Sequence, residues 1–272
     1  MTFFKENKNL LLQALVVGLG IVSVNSAFAQ ASATGPNKVY IEQVGNANTV
    51  TLQQVGGSNN IGGVATTAAT TVDVTGVTTY NPSAPSSSNY ATITGSSNTV
   101  GVTQTGNGNT TRYNIQGNDN VYNSTVTGND NLTNLVIGDA NNALNLRNTV
   151  TETITGDSNL ILQQIVGSDI TSVTSITGDT NQITKELKSS NGSSTVTVSG
   201  NSNIFNIQQT DSAGANGHVL IASVTGNTNS ITTQQQGTND TTVNIIATGS
   251  NNTITVRSSS SSIVNPVTAI SR

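Results

Sequence analysis

The sequence predicts an all-β chain wound as a β-solenoid, two strands to each turn of roughly 22 residues, with the turns stacked into two parallel sheets. A Gly-x-x-Asn unit recurs in steps of 11 residues, clearest at Gly95, Gly106, Gly117 and Gly128. Between these units β-branched residues alternate with polar ones, the period-two pattern of a strand with one face turned inward. Composition agrees: 33% of residues are hydrophobic, 3% aromatic and 8% charged, too apolar-poor for a conventional core and too charge-poor for an ordinary disordered chain. The polarity lies in Asn, Thr, Ser, Gln and Gly, types that bond to copies of themselves when stacked in register.

Residues 1–29 read as a secretory signal peptide. Lys5 and Lys8 precede an apolar run from Leu10 to Val24, and Ala27-Phe28-Ala29 is a small-x-small cleavage pattern. The run is short for the roughly 20 residues of a bilayer crossing, and no second stretch of membrane length follows, so no membrane span is expected after signal removal. A polar segment, 30–37, leads into the repeats.

The repeats are expected over 38–257. The unit is read at Gly45 to Asn48, Gly57 to Asn60, Gly95 to Asn98, Gly106 to Asn109, Gly117 to Asn120, Gly128 to Asn131 and Gly138 to Asn141. It continues at Gly156 to Asn159, Gly178 to Asn181, Gly200 to Asn203, Gly226 to Asn229 and Gly249 to Asn252. One kind of half-repeat ends in aliphatic-Thr-Gly, as at Ile154-Thr155-Gly156, and the other carries a Gln pair, as at Gln163-Gln164. These are the two sides of one coil. Gly and Asn supply the positive φ of tight turns. Counting from each Asn, the second and fourth residues (Val50 and Leu52, Val100 and Val102, Phe205 and Ile207) share the inward face. The interior is expected to be narrow, filled by Val, Ile, Leu and Thr, with no ligand cavity. About ten turns at strand spacing give a rod of roughly 50 Å with open edges at both ends.

The pattern loosens at about 63–90, where Asn81-Pro82-Ser83-Ala84-Pro85 reads as a loop bulging from the coil without ending it. Smaller insertions are read at Asn142 to Val150 and Ser212 to His218, and 258–272 is a serine-rich tail.

Nine Lys and Arg scattered against a net charge of -4 offer no basic patch for a phosphate backbone, so nucleic acid is not an expected partner. There is no cysteine. With His218 the one histidine, a Ser-His-Asp triad or multi-His metal site has almost nothing to draw on. No carboxylate pair suits glycoside hydrolysis, and no catalytic site, metal site or cofactor is expected. Asp119, Asp130, Asp139, Asp157 and Asp179 fall in turns without the glycine-rich nonapeptide of calcium β-rolls.

The motif sites are therefore structural, a set of stacking ladders and turns. Gln43-Val44-Gly45-Asn46-Ala47-Asn48 with Gln54, and Asn98 with Gln104-Thr105-Gly106-Asn107-Gly108-Asn109, resemble the curlins, the subunits of bacterial curli amyloid fibres. Their repeat is Gln-x-Gly-x-x-Asn with a further Gln six residues on. Asn203 with Gln209, and Asn229 with Gln235 followed by Gly237, keep that spacing. Ile115, Val126, Ile137 and Ile165 stand at other Gln sites, and Asp240 replaces the Asn after Gly237. The resemblance implies a secreted homopolymer growing by end-on strand pairing at the surface of a Gram-negative bacterium, in support of adhesion and biofilm matrix. It also implies a curli-type outer-membrane secretion pore and a nucleator subunit as partners, with Gln30 to Asn37 as an export-targeting segment. In that picture the turn aspartates, with Lys185, Glu186 and Lys188, are gatekeepers that slow edge-to-edge addition, or simply solubilising charges.

Two other readings stay open on the residues alone. One is a non-polymerising surface adhesin or matrix-binding solenoid. The other is an ice-binding solenoid, which needs regular Thr-x-Thr ranks on one side, whereas the Thr positions are expected to drift between turns.

Overall fold

The computed structural model describes residues 13–16, 35–62, 91–138, 146–165, 167–185, 187, 192–210, 219–236, 242–259 and 267–271. The expected insertions at 63–90 and 212–218 (with His218), the linker residues 139–145, and Glu186, Lys188, Gly237 and Asp240 lie outside the described residues, as do most of the expected signal peptide and part of the tail.

All the regular structure described is β. In chain order the strands are β1 (Gln13–Val16), β2 (Lys38–Val44), β3 (Thr49–Val55), β4 (Asn60–Ile61), β5 (Ala91–Thr94), β6 (Thr99–Thr105), β7 (Thr110–Gln116), β8 (Val121–Thr127), β9 (Leu132–Ile137) and β10 (Thr149–Thr155). They continue as β11 (Leu160–Ile165), β12 (Thr171–Thr177), β13 (Gln182–Thr184), β14 (Ser193–Thr197), β15 (Ile204–Thr210), β16 (Val219–Val224), β17 (Ser230–Gln236), β18 (Thr242–Ala247), β19 (Thr253–Ser259) and β20 (Val267–Ser271). From β5 onward successive strands enter two sheets in alternation. An 11-stranded sheet runs β1-β2-β4-β7-β9-β11-β13-β15-β17-β19, with β5 beside β2 and β7, and a nine-stranded sheet runs β20-β18-β16-β14-β12-β10-β8-β6-β3. All pairings among the described residues are parallel, as in Thr149↔Thr171 through Thr155↔Thr177. The chain is a two-sided parallel β-solenoid, the fold class its periodicity predicts.

The corners explain why this sequence coils. In Gly128-Asn129-Asp130-Asn131, Gly128 has φ 125 and Asp130 φ 55, after which the chain re-enters a strand at Leu132. Left-handed conformations are rare for residues with a Cβ, yet Ser158, Thr180 and Asp119 adopt them at equivalent corners. Hydrogen bonds to the neighbouring turn hold them there: the Asp130 N–H donates to Asn107 O at 2.9 Å and that of Thr180 to Asp157 O at 2.9 Å.

Burial alternates strictly in the nine-stranded sheet, as in β8 and β10. Inward residues form two apolar clusters, one running from Val126 and Ile154 to Ile245 and Ile254, the other from Val50 and Leu52 to Ile165 and Leu187. Each fully buried Ile or Phe205 contributes about 1.5–3 kcal/mol. The interior is richer than expected, because it also accommodates Tyr113, Tyr122, Glu152 and Lys185.

The long insertion interrupts a strand rather than a turn. Asn60↔Thr110 and Ile61↔Thr111 pair before it, and Thr92↔Asn114 through Thr94↔Gln116 after it, so β4 and β5 together fill one strand position. The expected insertion at Asn142 to Val150 is shorter than that reading: Thr149 and Val150 already belong to β10 and Arg147 forms the corner at φ 56.

Candidate functional site: the asparagine and glutamine ladders

At one corner Asn37, Asn59, Asn109, Asn131, Asn159, Asn181, Asn203, Asn229 and Asn252 stand in a column. A shorter column at the other corner holds Asn48, Asn98, Asn120 and Asn148. The rungs are alike. Asn109 Oδ1 accepts from the backbone N–H of Asn131 at 3.1 Å and from its Nδ2 at 3.0 Å, while Asn131 Nδ2 also donates to Gly156 O at 2.7 Å. Asn98 and Asn120, and Asn181 and Asn203, repeat the pattern. Each side chain thus satisfies buried backbone at two levels, which is why a strand-breaking residue type recurs here.

The columns correct three sequence expectations. Gly56 and Asn59, not Gly57 and Asn60, occupy the corner, since Gly56 has φ 104 and Asn109 N–H donates to Asn59 Oδ1 at 3.0 Å. Asn148 takes the rung after Asn120, at 3.0 Å, which the absence of a nearby glycine hid; Asn141 lies outside the described residues. Asn37, assigned to the segment before the repeats, accepts from the Asn59 N–H at 2.9 Å and is the first rung of its column.

The glycines form columns too. Gly45, Gly95 and Gly117 stack at one corner; Gly106, Gly128, Gly156, Gly178, Gly200, Gly226 and Gly249 stack at the other. A Cβ on Gly106 would lie 1.9 Å from Gly128 O, and one on Gly178 2.1 Å from Gly200 O. Backbone of the next turn fills the space a side chain needs.

Among the described side chains glutamine makes one short ladder. Gln54 Nε2 donates to Gln104 Oε1 at 2.8 Å, and Gln104 Nε2 reaches Thr111 Oγ1 at 3.0 Å. The column then turns apolar, because Gln104 pairs with Val126. Gln43 has no such partner: its register neighbour is Ile93 and its buried Oε1 accepts no hydrogen bond. Gln209 and Gln235 are in backbone register.

Sequence reasoning missed a buried polar chain in the middle of the coil. Tyr122 OH donates to Glu152 Oε2 at 3.0 Å, and Gln163 Nε2 donates to Glu152 Oε1. Ser172 Oγ donates to Gln163 Oε1 at 3.0 Å, and Lys185 Nζ donates to Ser172 Oγ at 2.9 Å and to Thr174 Oγ1. Burial raises the Glu152 carboxyl pKa, an effect opposed by bonds from Tyr122 and Gln163 and by the Lys185 charge. Burial pulls Lys185 down to about 7, opposed by Glu152. Lys185 is therefore an interior group, not the edge charge its sequence position suggested. The only available signal was a charged residue at the inward, fourth position after an Asn, for Glu152 follows Asn148 and Lys185 follows Asn181 by four.

Among the turn aspartates, Asp157 and Asp179 enter an outer ladder: Asn129 N–H donates to Asp157 Oδ1 at 2.6 Å and Asp157 N–H to Asp179 Oδ1 at 2.8 Å. Arg147 grips Asp169 with both Nε and Nη2, at 2.7 and 2.8 Å.

No protein-family model, no curated protein and no solved structure matches the chain.

Proposed function

We propose that the mature chain is a secreted structural subunit of curli-like extracellular fibres, extended by end-on pairing of successive copies. The observation that carries this reading is the directionality of the asparagine columns. Along a column the Oδ1 of each rung accepts from the backbone N–H and the Nδ2 of the rung in the following turn, so the column has a direction that repeats from turn to turn. Among the described residues, no asparagine precedes Asn48 in its column and β3 pairs on one side alone, with β6. An open parallel strand edge lets a second copy continue a sheet in the same parallel sense. In the full chain β1 pairs Gln13↔Tyr40 through Val16↔Gln43; removing the expected signal peptide would uncover that edge of β2.

The test is a thioflavin fluorescence time course on the purified chain beginning at Gln30, with electron microscopy of the end point. A sigmoidal rise with unbranched fibres is expected. A flat trace from a folded, β-rich monomer at high concentration would overturn the reading and favour a non-polymerising adhesin.

A further inference from the structure

The two sheets differ in what they turn outward. The 11-stranded sheet carries Lys38 and Glu42 at outward positions of β2. From β6 to β16 the outward positions of the nine-stranded sheet are Thr, Ser, Val, Asn, Ile and Gly, with no charge and no aromatic ring.

Threonine does not drift between turns on this face, contrary to the sequence expectation. Thr125 and Thr127 of β8 pair in register with Thr103 and Thr105 of β6 on one side and Thr153 and Thr155 of β10 on the other. Ser175 and Thr177 of β12 extend both ranks. The 28-residue step from Thr125 to Thr153 hid this, because the linker at 139–145 shifts the spacing without shifting the register.

Strand spacing sets the repeat along the stack at about 4.8 Å, and two residues of strand set the repeat across it at about 6.7 Å. Both lie close to the oxygen repeats on a prism face of ice. Each Thr offers a methyl beside a hydroxyl able to donate and accept. Side-chain ladders such as those at the corners are a device that stabilises flat sheets. A protein partner is ordinarily met by aromatic and Arg anchors, and these ranks carry neither.

We propose that the threonine ranks of β6, β8, β10 and β12 form an ice-binding surface that adsorbs the ordered water of a growing crystal face. The inference is independent of polymerisation, since it needs only the folded coil.

The test is thermal hysteresis and ice-recrystallisation inhibition with the chain from Gln30, as monomer and as any fibres it forms. A freezing point held below the melting point is expected. Thr153→Lys, which puts a hydrated charge in the middle of a rank, abolishes the gap, whereas Gln182→Lys on the outward face of the other sheet preserves it. Circular dichroism verifies that both variants fold. A folded wild-type chain with no gap, or a gap that Thr153→Lys leaves intact, overturns the proposal. So does lateral pairing of copies that Thr153→Lys disrupts without any effect on ice, which would make this a self-docking face.

Discussion

Asn131 Oδ1 accepts two hydrogen bonds from Asn159, from its backbone N–H at 2.9 Å and from its Nδ2 at 3.0 Å, across 28 residues of chain. A single side-chain oxygen thus closes one turn of the coil onto the next inside a column where water does not reach.

Asn131→Ala should therefore be costly. It strips the acceptor from two Asn159 donors, removes the Nδ2 donor to Asn109 Oδ1 while the backbone N–H donor stays, and leaves Gly156 O without its 2.7 Å partner. Unsatisfied buried groups cost about 1–3 kcal/mol each, so a loss of about 3 kcal/mol is expected. Urea unfolding of the monomer, followed by far-ultraviolet circular dichroism, measures it.

Gly156→Ala tests the glycine column. Gly156 has φ 130, and an added Cβ would sit 2.1 Å from Gly178 O. Both the backbone conformation and the neighbouring turn forbid the side chain, and a loss of about 3 kcal/mol is expected. Gly101→Ala is the contrast: Gly101 has no positive φ and its Cβ would meet the Asn123 side chain at 2.8 Å, which can rotate away. Its midpoint should move much less.

The interior Lys185 predicts a pH dependence with a definite sign. Folding lowers its pKa to about 7, against about 10.4 unfolded, so between those values the unfolded chain binds more protons and stability rises with pH. The cost of burying the charged ammonium is fully present below about pH 7. Glu152 acts oppositely: its raised pKa makes stability fall as pH climbs from the ordinary carboxylate range. The buried Tyr113 and Tyr122, both raised, cause a loss only above about pH 10. Denaturation midpoints should therefore increase from pH 7 to 10, and Lys185→Met should flatten that increase.

Arg147→Ala should leave the midpoint unchanged despite the two short bonds to Asp169. The side chains are 58% and 38% exposed, and exposed ion pairs contribute little once water and salt screen them. The same denaturation series decides it, and a large shift would mean the corner at Arg147 depends on the pair.

Glycine and asparagine spacing and the alternation of Val, Ile and Thr suffice to give the coil, its two sides and the inward faces, because turn chemistry and strand period are local properties. Phe205 and Ile207 are legible as core from their distance to Asn203 alone. What stacks on what is different. Rung separations of 22, 28, 26 and 23 residues occur in the columns, and a linker of any length between two corners leaves register untouched. Only the tertiary structure therefore brings Asn148 beneath Asn120, joins β4 to β5 across an insertion, aligns Thr125 with Thr153, and encloses Glu152 and Lys185 in one interior. Hydrogen bonds between turns fix those pairings, and such bonds are set by proximity in space, which sequence distance does not encode.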